Sequence, residues 1–77
     1  MNDERLLQNF VAVFHHRSFR AAADELGVSQ SSVTKRVQLL EHNTGLRLFD
    51  RTTRAVEPTD SARALISTAE NALQANN

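Results

Sequence analysis

Two apolar stripes at helical spacing, on helices whose connection is only about three residues long, constrain this chain more than any other feature. In "SFRAAADELGVSQSSVTKRVQLLE", residues 18–41, Phe19, Ala22, Ala23 and Leu26 fall at i, i+3, i+4 and i+7. Val33, Val37 and Leu40 then repeat at i, i+4 and i+7. Ser18 and Ser29 stand where N-caps belong, and Gly27 supplies the positive φ that ends the first of these helices. Small side chains such as Ala22 and Ala23 let a second helix axis approach closely. Two helices joined this way form a helix-turn-helix, although any tight helical corner needs the same parts.

The rest of the chain supplies a frame for that unit. Leu6, Leu7, Phe10, Val13 and Phe14 predict a first helix over about Asp3 to His16, with Asp3 and Glu4 at its positive end and Arg17 at the other. Phe10, Phe14 and Phe19 are expected in the core. After Gly45 the period changes. "LRLFD", residues 46–50, and "RAVE", residues 54–57, are expected as two short strands about the polar turn "RTTR", and Pro58 is expected to stop the second. Thr59 can cap a last helix, in which Ala62, Leu65, Ile66, Ala69, Ala72 and Leu73 repeat near a heptad seam. Its length favours pairing with a second copy over packing on its own domain.

Several function classes are excluded at this stage. A chain of 77 residues holds one small domain, and with no cysteine it has no disulfide to brace it. His15, His16 and His42 lack metal-ligand spacing, so no metal site is expected. There is no phosphate-cradling glycine loop and no nucleophile–His–acid spacing, so no catalytic residue and no enzyme is expected. No apolar run nears the roughly 20 residues of a membrane span, and the N-terminus shows no signal-peptide pattern, so a cytoplasmic location is expected.

Charge distribution points to an anionic partner. The net charge is zero. Yet from Ser29 to Arg54, Lys35, Arg36, Arg47, Arg51 and Arg54 stand against only Glu41 and Asp50, and the acids gather elsewhere. A neutral chain with a basic middle suits a one-faced anion binder. On the third helix, Ser31, Thr34, Lys35 and Gln38 cluster opposite the apolar stripe, Gln30 sits at the tip, and Arg36 lies on a flank suited to a phosphate.

With these residues laid out, the chain resembles the N-terminal DNA-binding domain of bacterial LysR-type transcriptional regulators. The resemblance rests on Ser18-Phe19, Ala22-Ala23, Leu26, Val28-Ser29-Gln30, Leu40-Glu41, Gly45, Leu48-Phe49, Arg51 and Thr59, and it covers essentially the whole sequence. It implies a mainly α fold: a winged helix-turn-helix of three helices and a two-stranded β wing over residues 1–58, then a linker helix over residues 59–77. It implies sequence-specific binding of double-stranded DNA, with the recognition helix, residues 29–42, in the major groove and the wing, residues 50–55, on backbone and minor groove. Base contacts would come from Gln30, Ser31, Thr34 and Lys35. Backbone and wing contacts would come from Arg20, Ser29, Ser32, Arg36, Arg51, Thr53 and Arg54. Ala62, Leu65, Ile66, Ala69 and Leu73 would form a homodimer on an imperfect inverted repeat. Family members continue into a larger C-terminal domain that binds a small-molecule effector and helps build tetramers; this chain is expected to be a fragment without it, carrying no cofactor.

Three positions depart from the family pattern: Ser31 replaces a usual proline, Ala21 replaces a common basic residue, and Ala62 replaces a usual glycine. Ser31 offers a hydroxyl where proline would only pre-set the first turn. A protein-interaction module, with the basic strip docking an acidic partner and the last helix acting as a coiled-coil adaptor, is the alternative from another class.

Overall fold

The computed structural model describes residues 3–51 and 55–75. In order, the elements are α1 (Asp3–His16), α2 (Phe19–Leu26), α3 (Gln30–Thr44), β1 (Phe49–Arg51), β2 (Val56–Pro58) and α4 (Asp60–Ala75). The expected mainly α winged helix-turn-helix is what forms.

Local chemistry accounts for the helix boundaries. Ser18 caps α2 by accepting the Ala21 N–H at 3.0 Å, and Gly27 ends that helix at φ 70° with its own N–H on the Ala23 carbonyl. Ser29 caps α3, which runs two residues past the expected end at 42 and closes at Gly45, φ 71°. The Thr44 hydroxyl donates to the Leu40 carbonyl at 2.8 Å, satisfying an acceptor that the helix end would otherwise leave open. Between α1 and α2 the turn falls to Arg17, which takes a left-handed φ of 54° without being glycine.

The three helices close on one core. Phe10, Val13, Ala22, Val33, Val37 and Leu48 are fully buried there, with Phe19 and Phe49 nearly so. Phe10 packs its ring on Phe49 at 5.7 Å, and Phe19 meets Phe49 edge-on at 6.0 Å, so the aromatic set ties α1 and α2 to the first wing strand. Phe14 is half-buried at the edge of this set. Asn9 is also enclosed: Nδ2 donates to the Arg5 carbonyl at 2.7 Å, while Oδ1 has no partner among the described residues.

The strands are shorter than expected and displaced toward the C-terminus. They pair antiparallel as Phe49↔Pro58, Asp50↔Glu57 and Arg51↔Val56. Residues 46–48 are not strand because their backbone groups are engaged elsewhere. The Leu48 N–H goes to the Glu41 carboxylate at 2.7 Å, the Leu48 carbonyl to the Thr59 N–H at 3.0 Å, and the Arg47 carbonyl to the Thr59 hydroxyl at 2.5 Å. The ladder therefore starts at Phe49. Pro58 closes it as the last paired residue, a position where its missing N–H costs nothing.

Thr59 also accepts the Ala62 N–H at 3.2 Å and so caps α4. This helix packs along α1, burying Ala62 and Ala69, with Leu65 and Ile66 half-buried against the same core.

Candidate nucleic-acid interface

The division of α3 into two faces builds the site. Val33 and Val37 are fully buried and Leu40 is 7% exposed, which fixes the rotation of the helix in its groove. That rotation leaves Gln30, Ser31, Lys35 and Gln38 exposed and Thr34 half-exposed on the outward side. Arg36 is half-buried on the flank beside Asn9 and Val28. Four of the sequence-expected contact residues, Gln30, Ser31, Thr34 and Lys35, thus lie along one turn-and-a-half of one helix.

The serines at the helix entry divide their work. Ser29 accepts the Ser32 N–H at 3.1 Å and gives its hydroxyl proton to the Ser32 oxygen at 2.9 Å. A hydroxyl has one proton, so at the 3.2 Å contact between Ser29 and Ser31 the donor is Ser31. Ser29 and Ser32 are therefore engaged in the cap. The hydroxyl of Ser31 is drawn back over the turn, with its oxygen lone pairs left for an outside donor.

Between α3 and β1 runs an open groove of about 620 Å³, lined among others by Gln38, His42, Leu46, Arg47, Phe49 and Arg51. Arg51 lies over the Phe19 ring with its guanidinium carbon 4.3 Å from the ring centroid, a cation–π geometry. Arg47 pairs with Asp50 at 3.1 Å within the wing. Sequence reasoning missed the stacking role of Phe19 and the groove position of His42. The first had no local signal, since Phe19 and Arg51 lie far apart in the chain; His42 could have been found from its place one turn beyond Gln38. Leu39 and Leu46, each 37% exposed, are the large apolar residues most open to solvent among those described.

Several bases and acids pair at the surface outside α3. His15 bonds Glu70 at 2.8 Å, His16 bonds Glu25, Arg17 bonds Glu57 at 3.3 Å, and Arg63 bonds Asp60 at 3.5 Å. These contacts are exposed and contribute little stability each. They engage the acids Glu25, Glu57, Asp60 and Glu70 with bases that are not on α3. Arg20, exposed in the first turn of α2, adds a positive charge near Phe19. Thr53 and Arg54, expected as wing contacts, lie outside the described residues.

No helix of the described residues is long and apolar enough to cross a membrane. No group of three or more His, Cys, Asp or Glu side chains among them could hold a metal ion.

Comparison with known proteins places this geometry. The family described as "bacterial regulatory helix-turn-helix protein, lysR family" matches residues 5–63. The chain is 48% identical over 59 residues to the uncharacterized HTH-type transcriptional regulator YfeR of Shigella flexneri, covering 77% of this chain and 19% of that one. To the HTH-type transcriptional regulator PtxR of Pseudomonas aeruginosa it is 42% identical over 67 residues, covering 87% and 22%. It therefore spans about a fifth of the length of these curated relatives. Among solved structures, a complex of the CbnR DNA-binding domain with DNA matches with a TM-score of 0.92 at 34% identity, covering 99% of this chain and 86% of that one. A complex of the BenM DNA-binding domain with catB site 1 DNA matches with a TM-score of 0.88 at 34% identity, covering 96% and 82%.

Proposed function

The chain belongs to the LysR family of bacterial regulatory helix-turn-helix proteins, and from that membership we propose that it is a sequence-specific reader of double-stranded DNA that acts in transcription regulation. The observation that carries this is the locked rotation of α3. Its apolar stripe is buried to the last residue, so Gln30, Thr34 and Lys35 are presented together on a helix whose fold matches domains solved with DNA.

In this reading α3 enters the major groove. The Gln30 amide bonds adenine bidentately, and Lys35 reaches guanine acceptors. The Thr34 methyl packs on a thymine methyl, and Ser31 accepts a bond from a base or bridging water. Arg20, Arg36 and Arg54 neutralise phosphates and supply most of the affinity, as positioning contacts do in general. Arg54 is also the residue suited to a narrow A·T-rich minor groove.

One small module of zero net charge binds weakly, so the working form on DNA is a pair joined through α4. Leu65, Ile66 and Leu73, half-buried in the isolated chain, offer the seam, while Ala62 and Ala69, expected in it, lie buried in the chain's own core. Two recognition helices then meet an imperfect inverted repeat. Sedimentation with a two-half-site duplex should show two chains per duplex; monomers at saturation would remove the dimer from this reading.

Fluorescence anisotropy across a salt series tests the central claim. A duplex enriched by this chain from a random pool should bind at least about ten-fold more tightly than its scramble, with a log K against log salt slope of about −4 to −8. Equal and weak binding of both duplexes would overturn it and favour an interaction module instead.

A further inference from the structure

We propose that Phe19 is a positioning residue for DNA binding: its ring holds the Arg51 guanidinium at the edge of the groove between α3 and the wing, aiming its N–H donors at a backbone phosphate. This rests on the DNA-binding reading above.

The platform is rigid. Phe19 is only 7% exposed, and its ring is fixed edge-on against Phe49, which is itself packed on Phe10. Over that ring lies the Arg51 guanidinium, 4.3 Å from the centroid. A guanidinium lying parallel to the ring uses its face for the contact and leaves the donors in its plane unobstructed. Arg51 is exposed, is paired with Val56 across the wing, and lines the groove together with Gln38 and His42 of α3. The other arginine lining this groove, Arg47, is paired with Asp50.

The physical consequence is a preorganised donor. A solvated arginine loses rotamer freedom when it grips a phosphate, whereas a stacked one has already lost it in the unbound protein. Lysine can neutralise a phosphate as a point charge, but it has no planar fork to lie on the ring. Phe19 thus connects the start of α2 to wing chemistry across more than 30 residues of sequence.

The test measures binding of the 77-residue chain to its pool-enriched duplex over a salt series. Arg51→Met should weaken binding and reduce the steepness of the salt dependence by about 0.9, the loss of one phosphate contact. Arg51→Lys should keep the slope yet lose about two- to five-fold in affinity, the equilibrium equivalent of an exposed cation–π contact. Phe19→Leu should lose a similar factor beside Arg51 and essentially none beside Met at that position, while Phe19→Tyr should retain affinity. A DNA-independent readout accompanies these: the Arg51 side-chain proton resonances should be ring-current shifted, and the shift should vanish in Phe19→Leu.

Arg51→Lys sits on an exposed side chain and leaves the core intact, so it decides the matter even if Phe19→Leu fails to fold. Lysine binding as tightly as arginine overturns the proposal, as does an equal effect of Phe19→Leu in both backgrounds. Failure of the unsubstituted chain to bind any duplex overturns the DNA reading as well and is distinguishable from both.

Discussion

The carboxylate of Glu41, near the end of α3, accepts the backbone N–H of Leu48 at 2.7 Å. This bond ties the recognition helix to the approach of the wing and fixes the spacing between the two elements that would touch DNA. Leu48 itself is fully buried and its carbonyl is taken by Thr59. The segment between helix and wing is therefore held at both of its polar groups.

Removing that bond should be costly. Glu41→Ala leaves the buried Leu48 N–H without its charged acceptor and should destabilise the domain by about 1.5–3 kcal/mol. At about 4–8 °C per kcal/mol for a domain this small, thermal melts should show a drop of at least about 6 °C. Glu41→Gln, which keeps an acceptor oxygen, should lose less than half as much. An Ala variant melting with the parent would show that the bond contributes nothing.

Asn9 offers the opposite case. It is 2% exposed, and its Oδ1 has no partner among the described residues. A buried acceptor without a donor is a net cost. Asn9→Leu removes it with the same number of side-chain heavy atoms, at the loss of the Nδ2 bond to the Arg5 carbonyl, and should stabilise the domain by up to about 1 kcal/mol. Chemical denaturation should move to a higher midpoint with an unchanged m-value; a lower midpoint would mean that this amide is satisfied in solution.

Arg17 holds a left-handed φ of 54°, which disfavours a residue with a Cβ by about 1–2 kcal/mol. Its ion pair with Glu57 is exposed on both sides and worth less than that. Arg17→Gly should accordingly raise stability by about 0.5–1 kcal/mol, after allowing for the freer unfolded chain. Arg17→Val should lower it, because a branched Cβ tolerates this region worst. Melting temperatures in the reverse order would show that the Glu57 contact outweighs the backbone.

Base readers and phosphate contacts should separate in a salt series. Gln30→Ala should relax preference among duplexes by about 1–3 kcal/mol at the base it reads, with the salt slope unchanged. Arg36→Ala should weaken all duplexes alike and reduce the slope by about 0.9. If the two variants behaved identically, the assignment of roles along α3 would be wrong.

Sequence alone determined the helices and the helix-turn-helix between them. Their signals are local: apolar residues at i, i+3, i+4 and i+7, serine caps at Ser18 and Ser29, and glycines at Gly27 and Gly45. α1 and α2 appear over the expected residues, and the outward cluster on α3 follows directly from the burial of Val33, Val37 and Leu40. The wing was legible only as two strands and a turn. Its register was not, because Glu41 and Thr59 capture the backbone of residues 47 and 48, contacts seven or more residues apart that no periodicity records. The alanine stripe of α4 was equally ambiguous: Ala62 and Ala69 suit a second copy or their own core, and only tertiary packing placed them in their own core. The stack of Arg51 on Phe19 belongs to the same class. Short-range order is written in spacing and caps, whereas contacts between distant residues exist only once the core has closed around them.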